Sequence, residues 1–190
     1  SAAATVTVYA VADAASLSCT STVLDLGAAT TCTLAPKVGS QPVTARAADL
    51  QVSVAPSDAA SVSFPTSGLA TSFQFTVTAG VLASQPFTLQ AISAGVPVGD
   101  QLPMLAVTSP DATSLVVCEA SHVPVGNSLD CHVTPRKNSV VVYARASAFS
   151  GDPAASFTVA QGNNLPFVFE AGTPSRLATV QLSVAVDGTG

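Results

Sequence analysis

Apolar and polar residues alternate along most of this chain, and this alternation predicts strands rather than helices. Phe73, Phe75 and Val77 alternate with Gln74 and Thr76, so one side of that segment is apolar and the other polar. No segment combines helical spacing with a cap and a stop signal. The predicted strands are residues 5–11, 16–23, 30–35, 42–47, 50–54, 73–78, 87–92, 105–108, 115–120, 129–134, 140–146, 157–159, 167–171 and 177–186.

The sequence contains an internal repeat. Cys19 and Cys32 recur as Cys118 and Cys131, each 99 positions after its counterpart. About seven short strands per copy, separated by turn residues, are typical of a β-sandwich. We therefore predict an all-β protein of two tandem domains, residues 1–95 and 100–190, joined by a Gly- and Pro-marked linker at 94–100. The same offset also relates Gly27 to Gly126, Pro36 to Pro135, Ser40 to Ser139, Val43 to Val142, and the Ala-Arg-Ala segments at 45–47 and 144–146.

The composition excludes several classes of function. Only 9% of the 190 residues are charged, and 6 Lys and Arg face 11 Asp and Glu. A nucleic-acid-binding protein needs a basic face, so nucleic acid is not an expected partner. No apolar run reaches the length of a membrane-spanning helix, so direct membrane insertion is not expected either. Ser and Thr supply most of the polarity, as on extracellular proteins that carry O-linked sugar.

The cysteines have two interpretations. Two identically spaced pairs in a weakly charged, Ser- and Thr-rich chain indicate disulfides and an oxidising compartment. We predict the pairs Cys19 with Cys32 and Cys118 with Cys131, because each repeat should be self-contained. The alternative is a zinc site in the second copy, where four candidate ligands occur within a short segment. The first copy has Val23 and Thr33 in place of the two histidines, and this favours disulfides. The four candidate zinc ligands are Cys118, His122, Cys131 and His132.

Several polar residues are candidate contacts for a partner. Arg46 and Arg145 occupy equivalent positions and could contact an acidic or glycan partner, although a surface Arg paired with a nearby carboxylate is the more ordinary arrangement. Asp25 and His122 are further candidate contacts, because they lie in the disulfide-bounded loops at residues 20–31 and 119–130. Four carboxylates near the domain edges suggest either calcium binding or turn formation, and no calcium-loop motif favours the first. These are Asp13, Asp100, Asp111 and Asp187.

The sequence shows no catalytic motif. It has no nucleophile elbow, no zinc-protease motif and no phosphate-binding loop, and the first copy has no His. The phenylalanines Phe73, Phe75, Phe167 and Phe169 alternate along their strands and are expected in the core. We therefore expect no enzyme activity and no cofactor.

The order of these motifs resembles a known family. A cysteine is followed by Asp25-Leu26-Gly27 or Pro124-Val125-Gly126, then by Cys-x-x-x-Pro, a charged turn and a Val- and Ala-rich strand. This succession resembles the immunoglobulin-like repeats of filamin and bacterial-invasin type, and Cys-bearing copies in gamete-adhesion and flagellar-surface proteins of green algae. It differs from antibody domains, because there is no Trp and the cysteines are too close to join opposite sheets.

The resemblance implies two tandem immunoglobulin-like β-sandwiches with a structural or adhesive role outside the cell. It implies no catalytic residue. The expected partners are other repeats of the same protein, and a cell-surface protein or glycan. A glycan-binding module and a filament subunit are the alternatives. A glycan-binding module would need exposed aromatic residues, for which the two tyrosines, Tyr9 and Tyr143, are the candidates.

Overall fold

The computed structural model describes residues 8–124, 126–152, 156–170 and 183–186. These residues form strands, with two short 3-10 turns at Ala47–Asp49 and Ala146–Ala148. The prediction of an all-β protein is therefore confirmed. None of the described residues forms a helix that could cross a membrane. The chain divides into a first unit, Ser1–Ala106, and a second unit, Val107–Gly190.

The first unit contains two facing sheets and a two-stranded pair of Ala45–Arg46 with Leu69–Ala70. One has the strand order β1-β3-β9-β7 with β4 beside β3, and the other has the order β2-β11-β10-β6. An immunoglobulin sandwich pairs strands A-B-E-D against C-F-G, and the first unit has this order. The strands are β1 (Ala14–Cys19), β2 (Val23–Asp25), β3 (Ala29–Val38), β4 (Gln41–Pro42), β5 (Ala45–Arg46), β6 (Leu50–Ala55), β7 (Ala60–Ser63), β8 (Leu69–Ala70), β9 (Phe73–Ala79), β10 (Pro86–Ser93) and β11 (Val96–Val107).

The core of the first unit lies between the two sheets. Leu34 and Val77 enter it from one sheet and Leu89 from the other, and all three are fully buried. Their strands alternate buried and exposed residues, as the sequence pattern predicts. Burying one such side chain contributes about 1.5–3 kcal/mol, so the alternation holds the sheets together. Phe73 and Phe75 are buried in the same core, where both contact Phe64.

In the described part of the second unit, one sheet repeats the order of the first sheet of the first unit. Its strands β12-β13-β20-β18 form one sheet, and β14-β15, β16-β19 and β17-β21 form two-stranded pairs. Phe167 is buried in its core, whereas the side chain of Phe169 lies outside the described residues. The strands are β12 (Leu115–Cys118), β13 (Ser128–Thr134), β14 (Arg136–Lys137), β15 (Val140–Val141), β16 (Ala144–Arg145), β17 (Phe149–Asp152), β18 (Ser156–Phe157), β19 (Gln161–Gly162), β20 (Leu165–Glu170) and β21 (Ser183–Val186).

Backbone hydrogen bonds recur with the spacing of the sequence repeat. The amide of Val43 donates to Pro36 at 3.1 Å, and the amide of Val142 donates to Pro135 at 3.0 Å. The turn positions Gly39 and Asn138 both have positive φ, +59° and +51°, and Gly and Asn are the residues that most readily adopt this conformation. The two copies therefore share main-chain geometry as well as sequence.

The predicted linker is corrected by the structure. Residues 94–100 lie in the hairpin of β10 and β11, where β11 continues to Val107. Ala94 and Gly95 form the turn with positive φ, and Gly99 has φ +73°. Gly and Pro mark a hairpin turn and an irregular strand as well as a linker, so composition alone misplaced the boundary.

Other strand predictions differ in detail. Five short strands fall outside every predicted strand: β7, β8, β14, β17 and β19. Each has only two to four residues, which is too short to show a clear alternation. The predicted strand at 5–11 has no strand in its described part, 8–11, and the first part of the prediction at 177–186 lies outside the described residues.

Gly99 provides a test of this hairpin. It lies in a bulge where residues 99–101 stand opposite Gln90, whose side-chain amide donates to the carbonyls of Val98 and Gly99 at 3.0 and 3.1 Å. A Cβ at residue 99 would collide with the carbonyl oxygen of Ala15. We expect Gly99→Ala to lower the free energy of unfolding by about 1–3 kcal/mol, measured by urea denaturation.

Gly39→Asn is the matched control, because the second copy has Asn138 there with positive φ and nothing lies within 4 Å of a Cβ at residue 39. Its effect should stay below about 0.5 kcal/mol. Equal stability of Gly99→Ala and the wild-type protein would contradict the bulge geometry.

Candidate functional site

Each unit contains one cross-strand disulfide. Cys19 lies directly opposite Cys32 on β1 and β3, and Cys118 lies directly opposite Cys131 on β12 and β13. The Cα atoms of each pair are 4.0 Å apart. The structure thus has the partners assigned from the sequence. Because all four cysteines are joined in two disulfides, they supply no thiolate to the alternative zinc site.

Hydroxyl groups tie the first disulfide loop, residues 20–31. The hydroxyls of Thr20 and Thr30 are hydrogen-bonded at 2.9 Å, and the amide of Ser21 donates to Thr30 Oγ1 at 3.2 Å. The Ser21 hydroxyl then donates to the carbonyl of Val23 at 2.8 Å. The part of the loop next to the disulfide is therefore fixed on both sides.

The same loop connects the two sheets of the first unit. Its strand β2 lies beside β11 in the sheet opposite the disulfide, and Leu24 of β2 is buried in the core. The amide of Leu105 donates to Thr22 at 2.8 Å. The disulfide thus closes a loop that runs from one sheet to the other at the edge of the sandwich. Reduction of the bond would remove the covalent link between the two ends of this loop.

The second disulfide loop, residues 119–130, keeps the main-chain frame and changes the side chains. The amide of Glu119 donates to Asp130 at 3.0 Å, as Thr20 does to Thr31. Glu119 and Leu129 replace the two bonded threonines, so the hydroxyl pair of the first loop has no counterpart. His122 is exposed, and its Nδ1 lies 2.9 Å from the hydroxyl of Ser121.

The candidate contact residues lie on separate elements within each unit: Arg46 on β5 and Asp25 on β2 in the first, Arg145 on β16 and His122 in the disulfide loop in the second. The Arg46 guanidinium lies 3.2 Å from Asp49 and stacks over the ring of Tyr9 at 5.0 Å. The hydrogen bond and charge of Asp49 raise the pKa of Arg46. Asp25 is exposed at the end of β2, and Arg145 is half-buried on β16. The arrangement around Arg46 is the ordinary carboxylate pairing that the sequence analysis favoured.

A repeated Asp-to-turn contact was missed as a site. Asp111 accepts the amide of Asn138 at 2.6 Å and that of Thr113 at 2.9 Å. Asp13 accepts the amide of Gly39 at 2.7 Å in the first unit. Each carboxylate thus holds a turn 26 or 27 residues away. The only sequence signal is an Asp shortly before the first described strand of each unit, Asp13 before β1 and Asp111 before β12. The two Asp residues are 98 positions apart, whereas the turn residues Gly39 and Asn138 are 99 positions apart.

Metal binding finds no further support in this arrangement. Among residues 8–124, 126–152, 156–170 and 183–186, no three His, Cys, Asp or Glu side chains lie close enough to hold an ion. Asp100 is exposed on β11, and Asp187 lies outside the described residues.

Two clefts flank Phe64 in the first unit. One, of about 410 Å³, is bordered by Ser63, Gln74 and Thr76, and the other, of about 470 Å³, by residues that include Leu50, Gln51 and Val62. Neither lining contains an acid, a base or a cysteine. These clefts therefore lack the paired groups that acid–base or nucleophilic catalysis needs.

Comparisons with solved structures find similar folds. The Escherichia coli adhesin FdeC matches with 17% identity, TM-score 0.47, and coverage of 96% of this chain and 62% of that one. The Yersinia pseudotuberculosis adhesin InvE matches with 14% identity, TM-score 0.42, and coverage of 83% and 51%. Domains 5–6 of the S-layer protein SbsC match with 16% identity, TM-score 0.35, and coverage of 90% of both chains. This chain thus spans about half to three fifths of the two adhesin chains. No family model and no curated protein matches it.

The Asp111 contact predicts an acid dependence. Hydrogen bonds from Asn138 and Thr113 favour the carboxylate, so the pKa of Asp111 lies below its ordinary value in the folded protein. This contribution to stability is present above the unfolded-state pKa of about 3.9 and is lost as pH falls through the lower folded-state value. The melting-temperature difference between the wild-type protein and Asp111→Ala should therefore shrink as the pH is lowered through this range.

Asn138→Gly is the control, because it keeps the donating amide and a residue suited to positive φ. Its acid dependence should match that of the wild-type protein. A wild-type advantage over Asp111→Ala that persists unchanged into strong acid would show that the carboxylate charge does not matter.

Proposed function

We propose that this chain is a non-catalytic structural or adhesive segment of an extracellular protein, built from two tandem immunoglobulin-like repeats. The observation that carries the proposal is the cross-strand disulfide at the same place in each unit. Such bonds persist in oxidising compartments outside the cytosol. A disulfide that closes a loop of this size stabilises the folded state by about 3 kcal/mol. This is a large share of the free energy of unfolding of a typical domain, about 5–15 kcal/mol.

The surface chemistry supports the same role. Charged residues make up only 9% of the chain, and the two clefts beside Phe64 have no acid or base in their linings. Exposed Ser and Thr residues on β1, β7 and β9 are available to solvent and to O-linked sugar. The partners that we propose are further repeats of the same protein and a cell-surface protein or glycan. Gamete-adhesion and flagellar-surface proteins of green algae are the kind of extracellular protein that we propose.

The disulfide position suits a chain that bears load. A pulling force on the N-terminal side of the first unit removes β1 from β3, one residue pair after another. The bond at Cys19 and Cys32 stops this separation at the end of β1. Residues 20–31 then stay shielded from the force, together with the β2 strand that spans to the other sheet.

A glycan-binding role is the alternative. Tyr9 is 40% exposed and Tyr143 is half-buried, so neither ring is fully withdrawn from solvent. Arg46 covers one face of the Tyr9 ring, which leaves less of that ring for stacking on a sugar. This geometry favours the structural role.

Force spectroscopy tests the load-bearing role. We expect two discrete unfolding events when the oxidised protein is pulled from its termini. Each disulfide should hide about 40 Å of contour length, because 13 residue steps at about 3.5 Å are replaced by a 4.0 Å crossing.

The matched variants are Cys19→Ser with Cys32→Ser, and Cys118→Ser with Cys131→Ser. Each pair should lengthen one event by this amount and lower its unfolding force, while the other event stays unchanged. A protein that extends under low force without discrete events, with its disulfides intact, would disprove the load-bearing role.

A further inference from the structure

We propose that the outer face of the β12-β13-β20 sheet is a surface on which a second copy of this chain docks. We call it the second-unit face. It consists of Leu115, Val117, Asp130, His132, Pro166 and Val168. The inference goes beyond the proposed function and does not depend on it, because it concerns contact between copies rather than load or location.

Strand register places these six residues side by side. Val117, His132 and Pro166 form one row across three strands, and Asp130 and Val168 form the next row. Residues that are directly paired across strands point to the same face. Leu115, Val117 and Val168 are 43%, 46% and 40% exposed. On β13, Cys131 and Val133 alternate with Asp130 and His132 and point the other way, into the core. The result is an outer face on which Leu115, Val117, Pro166 and Val168 surround the imidazole of His132 and the carboxylate of Asp130, with Thr134 beside Leu115.

The first unit shows that the fold does not require this apolar surface. The row equivalent to Val117, His132 and Pro166 consists of Ser18, Thr33 and Gln74.

The next rows of the first unit are polar in the same way. Thr31 pairs with Thr76, which also pairs with Ser63, and Ser61 pairs with Thr78. The same sheet thus shows hydroxyl groups to water in one copy and aliphatic groups in the other. Aliphatic side chains at solvent-facing sheet positions mark an interaction surface when the fold does not need them.

Charge and shape favour a second copy as the occupant. Asp130 and His132 are two residues apart on β13, so both point outward from the same strand. Consider a two-fold axis that lies in the plane of the interface and crosses β13 between Asp130 and His132. It places the imidazole of each copy against the carboxylate of the other copy. The same axis lays each Pro166 against Val168 of the other copy, because these residues occupy the same two rows. The His132–Asp130 and Pro166–Val168 contacts thus match across this axis, as contacts in a two-fold interface must.

The hydroxyl face of the first unit is a poorer match for the second-unit face. Its Ser and Thr groups would lose water against Val117 and Val168 without gaining hydrogen-bond partners. The second-unit face has six residues, far fewer than the roughly 20–30 residues per side of a standard stable interface. We therefore expect weak, concentration-dependent association rather than a permanent dimer.

Sedimentation equilibrium over two decades of protein concentration tests the proposal. The average mass of the wild-type chain should rise with concentration toward twice the monomer mass. The double variant Val117→Ser with Val168→Thr should stay monomeric, because it installs the residues found at Ser18 and Thr76 of the first unit. Leu82→Ser is the control: Leu82 is 88% exposed on the first unit, so its loss should not change the association.

The polar pair separates specific docking from general stickiness. Asp130→Lys should abolish the dimer, and the exchange Asp130→His with His132→Asp should restore it. Thermal denaturation of every variant checks that the second unit still folds. A wild-type chain that stays monomeric throughout would overturn the proposal, as would a dimer that persists in the double variant. A monomeric chain that binds another protein through this face would also overturn it, in favour of a different occupant.

Discussion

Contact between the apolar sides of two sheets is the interaction on which the first unit depends. Leu34 and Leu89 meet from opposite sheets and are fully buried. Every strand that contributes to this core must present alternate residues inward, and the remaining residues then face water. This constraint leaves the outer surfaces of the sheets free to vary without disturbing the core.

Covalent and main-chain contacts supplement the core in a chain with few charges. The disulfide between Cys19 and Cys32 joins neighbouring strands of one sheet, whereas the loop that it closes reaches the other sheet through Leu24. Asp13 and Asp111 hold distant turns by accepting main-chain amides. Hydrogen bonds to a charged group are stronger than those between neutral groups. These two carboxylates thus stabilise turns whose main-chain amides need an acceptor.

The outer faces of the equivalent sheets differ in chemistry between the two copies. Ser18 and Thr76 of the first unit occupy the positions of Val117 and Val168 in the second. A hydroxyl face suits a surface exposed to solvent, and an aliphatic face suits a contact. Duplication of one sandwich thus allows the outer face of the same sheet to differ in chemistry between the copies without a change in the core.

The sequence by itself determined the strand class, the inward side of most strands and the cysteine partners. These follow from local alternation, as in Phe73 and Phe75, and from a repeat with one cysteine pair per copy. Only the tertiary structure decided that residues 94–100 form a hairpin, that Asp111 holds Asn138, and that Val117, His132 and Pro166 share a row. Alternation shows whether a side chain faces inward or outward, but its lateral neighbours come from strands distant in the chain, and pairing register alone selects them.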